Sequence, residues 1–190
     1  MFLKKYLVAL EFAALIAVVG CANSPRKVTE AEKKEAEGRY VTNKTAVEAE
    51  ANNYVEIEFK PGTATLTDNA KTSLHSIVTQ ARQDGKIDEV IVLSWSDEEY
   101  PSKNQKKLPK AQRELAEKRN KMVEQYVKSM RDVDVNTYNM AERPTAFSSL
   151  FNTADSKLKE SMVSAGLSTT ADSADYVNKA SRSVIMVKIK

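Results

Sequence analysis

Two residues of this sequence carry charge where charge is hard to accommodate. Asp97 closes the stretch VIVLSWSD, in which an apolar run and Ser94, Trp95 and Ser96 lead straight into a carboxylate. Arg119 follows in a helical pattern, four residues after Leu115 and three before Met122, on the same stripe as Val123, Tyr126, Val127 and Met130. Lys118, Lys121 and Glu124 take the exposed positions of that helix. Burying a lone charge is costly, so an arginine on the core-facing side must find a partner or reach a pocket. Asp97 leaves an apolar strand at its C-terminal end, where open α/β sheets place ligands. Ionic recognition is the chemistry open to such residues. The same pattern is met if Arg119 passes Tyr126 to reach solvent and Asp97 merely starts a solvated loop, DEEY.

Other chemistries find little support. The chain holds one Cys and one His, which leaves no intramolecular disulfide and no histidine-rich metal site. His75 lies beside Leu74 and reads as a surface or boundary residue. Asp97, Glu98 and Glu99 are adjacent acids in a loop, with no His or Cys to act beside them, so an enzyme is not expected. No phosphate loop or dinucleotide fingerprint occurs, and no cofactor or metal is expected. The formal net charge is only +3. The lysine run Lys103 to Lys110 is short and poor in aromatic residues, which argues against nucleic acid.

The elements that must position Asp97 and Arg119 occupy the second part of the chain. Residues 1–20 have Lys4 and Lys5, then an apolar stretch broken by Glu11, then small residues, as in a secretory signal. The uninterrupted run Phe12 to Val19 is eight residues, whereas spanning a bilayer takes about 20. Val18-Val19-Gly20-Cys21 resembles the bacterial lipobox. That resemblance implies a lipid anchor on Cys21 and, with Ala22 rather than aspartate next, delivery to the outer membrane. Residues 22–52 balance their charges and lack apolar periodicity, so 21–52 reads as a lipidated N-terminus and flexible tether. Fully extended it reaches roughly 100 Å at ~3.3 Å per residue.

A folded domain is expected over 53–190. YVEIEFK alternates, with Val55, Ile57 and Phe59 on one face and Glu56, Glu58 and Lys60 on the other, and Pro61-Gly62 breaks it. Thr67 is placed to cap a helix whose Ala70, Leu74, Ile77, Val78 and Ala81 share one face, and Gly85 suits its end. Val90 to Leu93 reads as a strand covered on both faces. Pro109 opens a long helix to about Arg131. Val133 to Met140 reads as a third strand. Pro144 to Gly166 is helix or loop, with Ala154, Leu158, Met162 and Ala165 as an apolar stripe. SVIMVKIK is a final strand with Ile185, Val187 and Ile189 on one face. Alternating strands and helices give an α/β domain with a mixed sheet and helices on one face.

The order YVEIEF, TATLTDNAKTSL, a strand ending SWSD, LAEKRNKMVEQYV, NMAERP and SRSVIMVKI resembles the OmpA-like peptidoglycan-binding domain over residues 53–190. The resemblance implies that family's βαβαβ(α)β fold. It matches Asp97 to the family's Thr-Asp aspartate, with Ser96 for the threonine. Leu115, Arg119, Val123 (or Met122), Tyr126 and Val127 match the second-helix motif, and Arg182 the first arginine of Asn-Arg-Arg. It implies that Asp97 and Arg119, beside Ser96, hold diaminopimelate of the peptidoglycan stem peptide. That residue presents an ammonium for an acid and a carboxylate for a guanidinium. Departures surround the same place. Ser94-Trp95-Ser96 replaces Gly-His/Tyr-Thr, Gln112 stands for an asparagine, Asn139 to Glu142 lacks the family glycines, and Ser183 replaces the second arginine.

Two functions are therefore expected from different classes. The first is an outer-membrane lipoprotein, facing the periplasm and anchored in the inner leaflet through lipid on Cys21, that grips peptidoglycan without a covalent bond and tethers an envelope assembly. The second is a structural component that docks other envelope proteins, as in a Dot/Icm-type IV secretion system core, using a degenerate domain of the same kind.

Overall fold

A computed structural model describes residues 46, 49–102, 104–143 and 179–190. The element order is β1 (Asn53–Glu58), α1 (Asp68–Asp84), β2 (Ile87–Ser94), α2 (Lys110–Met130), β3 (Asp134–Asn139) and β4 (Arg182–Ile189). The strands form one sheet in the order β1-β4-β2-β3. β4 runs antiparallel to both β1 and β2, and β2 runs parallel to β3, so the sheet is mixed. The expected α/β architecture is present, with both described helices on one face. The Pro144–Gly166 stretch and Cys21 lie outside the described residues.

Local chemistry accounts for the elements. Thr67 is extended, and its hydroxyl accepts from the Ala70 amide at 3.1 Å, capping α1. The five apolar residues expected on one face of α1 are all buried. His75 is exposed. Between the helices and the sheet lie Ile57, Phe59, Leu74, Val90, Val92, Val123, Val127, Ile185 and Val187. The opposite face of the sheet buries Ile91, Leu93, Trp95, Met140, Val184 and Met186. β2 is thus covered on both sides, which explains its unbroken apolar run.

Three expectations need correction. Met122 does not join the buried stripe of α2. It is 38% exposed. The buried face is Ala116, Arg119, Asn120, Val123 and Val127. It centres on two polar residues that hydropathy alone would place outside. Glu56 was assigned with Glu58 and Lys60 to a solvated face, yet it pairs with the buried Lys179 and with Arg182. Ordered packing also begins before Asn53. Ala46 and Ala49 are buried on the back face, and Asn52 N–H donates to Val187 O at 2.9 Å. Alanines and one asparagine carry no periodic signal to reveal this.

Gly85 ends α1, but not through a left-handed backbone, since its φ of 167° is extended. Its lack of a side chain is required by proximity. A Cβ there would overlap the Ile189 side chain and come 3.1 Å from Lys190 O. Gly85→Ala is expected to cost about 1–3 kcal/mol by overpacking, measured as a lower urea midpoint.

Candidate functional site

The site forms where three chain segments meet at one end of the sheet. The first is the turn after β1. Pro61 precedes Gly62, whose φ of 73° only glycine adopts easily. Thr63 N–H closes the turn onto Lys60 O at 3.0 Å. The second is the end of β2, running through Trp95 and Ser96 to Asp97. The third is the turn into β4. There Ser181 N–H donates to Ser96 O at 2.6 Å, and Trp95 N–H donates to Arg182 O at 3.0 Å. Ser181 is a non-glycine residue with φ of 60°. Such strain persists where surroundings over-determine it, which is common at binding sites.

Asp97 is the junction of these segments. One carboxylate oxygen, Oδ1, accepts from Arg119 Nη2 at 2.6 Å and from the Ser181 hydroxyl at 2.7 Å. The other, Oδ2, accepts from Gly62 N–H at 2.5 Å. Gln112 Oε1, from the first turn of α2, accepts from the Asp97 amide at 3.2 Å. Asp97 and Arg119 are thus brought together. Ser96 takes a different place. It is buried, and its hydroxyl turns back on the Glu98 main chain.

Arg119 does not snorkel. Its side chain is 0% exposed, against 22% for Asp97. Its Nε donates to Thr63 O at 2.9 Å and Nη1 to Trp95 O at 2.8 Å. Its guanidinium lies 5.0 Å from the centre of the Phe59 ring. The arginine therefore fastens the first two segments from inside, and it meets the third only by way of Asp97 and the Ser181 hydroxyl. Its charge is matched by Asp97, and its plane by an aromatic face.

Solved structures that match this chain include the OmpA-like domain of FopA1 from Francisella tularensis subsp. tularensis SCHU S4, at 14% identity, covering 72% of each chain, with a TM-score of 0.37. The periplasmic domain of Helicobacter pylori MotB matches at 12% identity, covering 72% of this chain and 76% of that one, with a TM-score of 0.38. A putative MotB like protein from Desulfovibrio vulgaris matches at 12% identity over 83% and 90% of the two chains, with a TM-score of 0.35. No family model matches the chain, and no curated protein matches it. At such identities the site has to be read from this chain's own residues.

A groove of about 290 Å³ is lined by Glu58, Phe59, Pro61, Ala180, Ser181 and Arg182, and Asp97 is not part of its lining. Its lining contains the Ser181 that bonds Asp97 and the Phe59 that stacks on Arg119. Arg182 sits opposite Glu58 in the β1–β4 register. Its Nη1 pairs with Glu56 and its Nη2 with Glu58, each at 2.5 Å. Glu56 also takes the Lys179 ammonium at 2.5 Å. Of these groups, only Asp97, Arg119, Ser96 and Arg182 were singled out from sequence. Gly62, Ser181, Glu56 and Lys179 were not. The Pro61-Gly62 pair was a visible turn signal, but nothing in it points to an aspartate 35 residues away.

Electrostatics keep the two site carboxylates ionised. Burial raises the pKa of Asp97, but hydrogen bonds from Arg119, Ser181 and Gly62 outweigh it and hold it below the usual range. Burial likewise raises Glu56, and the charges and hydrogen bonds of Lys179 and Arg182 bring it down. Burial pushes the Lys179 amine down against the pull of Glu56. Carboxylates with depressed folded-state pKa values stabilise the fold fully above their unfolded values, near about 4. That stabilisation is lost as pH falls through the folded values. The thermal midpoint should therefore hold between about pH 7 and 5 and decline below about pH 4. Asp97→Asn should show a smaller acid decline in the same titration.

Proposed function

We propose that this protein is a cell-envelope binding module that grips peptidoglycan without a covalent bond, through the diaminopimelate of the stem peptide. The observation that carries this reading is Asp97. It is a carboxylate held ionised by three donors, yet still 22% exposed, just past the C-terminal end of a buried strand. Exposed lone-pair directions on a fixed carboxylate suit an ammonium ligand. The sequence resemblance supports the same residue in the same role. An anchor on Cys21 with a tether behind it would place the domain at the wall from the outer membrane. Arg119 holds Asp97 in position; its side chain is not open to a ligand.

The test is sedimentation of the full-length protein with purified peptidoglycan sacculi. Wild type should pellet with them, and Asp97→Asn, confirmed folded by circular dichroism, should lose binding at least about tenfold, as expected for a lost charged partner. A wild type that stays in solution sinks the proposal.

One observation favours a second reading. Arg119 is wholly engaged within the chain, as it would be in a domain retained for its shape. In that case the protein is a structural part of an envelope assembly such as a type IV secretion core. It would then co-purify with partner proteins, and Asp97→Asn would leave that association unchanged.

A further inference from the structure

Ser181 both lines the groove and bonds Asp97, its hydroxyl donating to Oδ1 at 2.7 Å. Asp97 is absent from that lining. On the groove side the acid is therefore represented by its hydroxyl partner. A hydroxyl has one proton to give and two lone pairs to offer. The proton of Ser181 is committed to Asp97, so toward any further group the hydroxyl can only accept. No donor among the described residues uses it in that way. Donation to an anion also makes the oxygen a better acceptor. The charged side chains of the lining, Glu58 and Arg182, are paired with each other at 2.5 Å, and Phe59, Pro61 and Ala180 have apolar side chains.

The backbone points the same way. Ser181 holds a φ of 60°, a conformation that glycine adopts without penalty and a side chain does not. The hydroxyl is not needed to hold Asp97 ionised, since Arg119 Nη2 and the Gly62 amide already donate to it at 2.6 and 2.5 Å. A role toward the ligand accounts for a serine at this strained position. Resting on the peptidoglycan reading above, we propose that Ser181 is a ligand-binding residue. Its Oγ accepts one N–H of the ligand's ammonium, and Asp97, bonded to the same hydroxyl, supplies the opposite charge. Selectivity follows. The site reads N–H groups as well as charge, so a quaternary ammonium, which has charge but no N–H, satisfies Asp97 and leaves Ser181 unanswered.

The experiment is competition for sacculus binding by full-length protein, using 1,5-diaminopentane and 1,5-bis(trimethylammonio)pentane, which keeps both charges and has no N–H. Wild type should be displaced by the first at concentrations at least about tenfold lower, the size of effect a hydrogen bond to a charged group supplies. Ser181→Gly removes the hydroxyl and suits the backbone. It should bind sacculi about tenfold more weakly, and its preference for the diamine should shrink by a similar factor. Ser181→Ala, which keeps Cβ, should behave alike, and a loss confined to the glycine variant would trace to backbone freedom and overturn the proposal. If either variant fails to fold, the other decides. Weaker binding with the preference unchanged would mean that Ser181 only positions Asp97, and unchanged binding would mean that it does neither. Both results overturn the proposal and leave the peptidoglycan reading standing, as does a wild type displaced by both compounds alike or by neither. If wild type binds no sacculi, both readings fall together.

Discussion

Asp97→Ala is expected to destabilise the protein by about 3–5 kcal/mol, because it leaves the fully buried charge of Arg119 without a counter-ion. Thr63 O and Trp95 O would still accept from the guanidinium, and Phe59 would still stack on it, but none of these neutralises it. Arg119→Met should cost less. Asp97 keeps the Gly62 and Ser181 donors and is 22% exposed, so water can reach it once the arginine is gone. The ordering is the sharper part of the prediction. Urea titrations of the two variants and their double would check it, and the double should cost less than the sum because each change removes the same pair. Equal effects, or a larger one for Arg119→Met, would mean that the two carbonyls matter more than the charge. The practical consequence is that alanine at Asp97 is a poor probe of binding, and asparagine, with the same shape, is a better one.

Trp95→Ala should be of similar size, about 3–5 kcal/mol, the usual cost of emptying a large aromatic site in a core. Trp95 is 0% exposed among Leu93, Met140, Val184 and Met186 on the face away from the helices. Its main chain meanwhile serves the site, donating to Arg182 O and accepting from Arg119. The loss would therefore loosen the support of Asp97 as well as the core. Trp95→Phe should cost much less. It keeps most of the apolar volume and deletes an indole N–H that is buried without a partner among the described residues. Chemical denaturation of both variants separates volume from polarity. Comparable losses would point to the indole N–H as having a role.

How much of this was legible in the sequence depends on how far apart the partners lie. Val55, Ile57 and Phe59, and the five apolar residues of α1, announced their faces through local periodicity, and the structure buries all of them but Val55, which is partly buried against the same core. Arg119 was legible as an anomaly, a charge on an apolar stripe that fitted either a partner or a path to solvent, and the structure shows the partner. Met122 misled because methionine reads as apolar wherever it falls, while Asn120 on the true face reads as polar. Glu56 looked like a solvated residue because its partners, Lys179 and Arg182, are 123 and 126 residues away. Gly62 and Ser181 act on Asp97 through a main-chain N–H and a hydroxyl, groups too common to advertise themselves. Ser94 and Ser183 are another such case. Each was noted singly as a departure from the family pattern, yet they are register partners whose hydroxyls lie 2.5 Å apart in the core. One departure answers the other.

The strand order has a consequence in time. β4 lies between β1 and β2, so β1 has no neighbour to pair with until β4 arrives. The side-chain bond from Asn52 to the Ile189 amide spans 137 residues of chain. Closing so long a loop delays commitment, and folds dominated by distant pairings form slowly. Until β4 is added, β2 offers an apolar ribbon with one edge open, the kind of surface that other chains adhere to. Asp97 lacks the Ser181 hydroxyl for as long as the turn into β4 is unmade. The full set of donors to Asp97 is therefore complete only once β4 has joined the sheet.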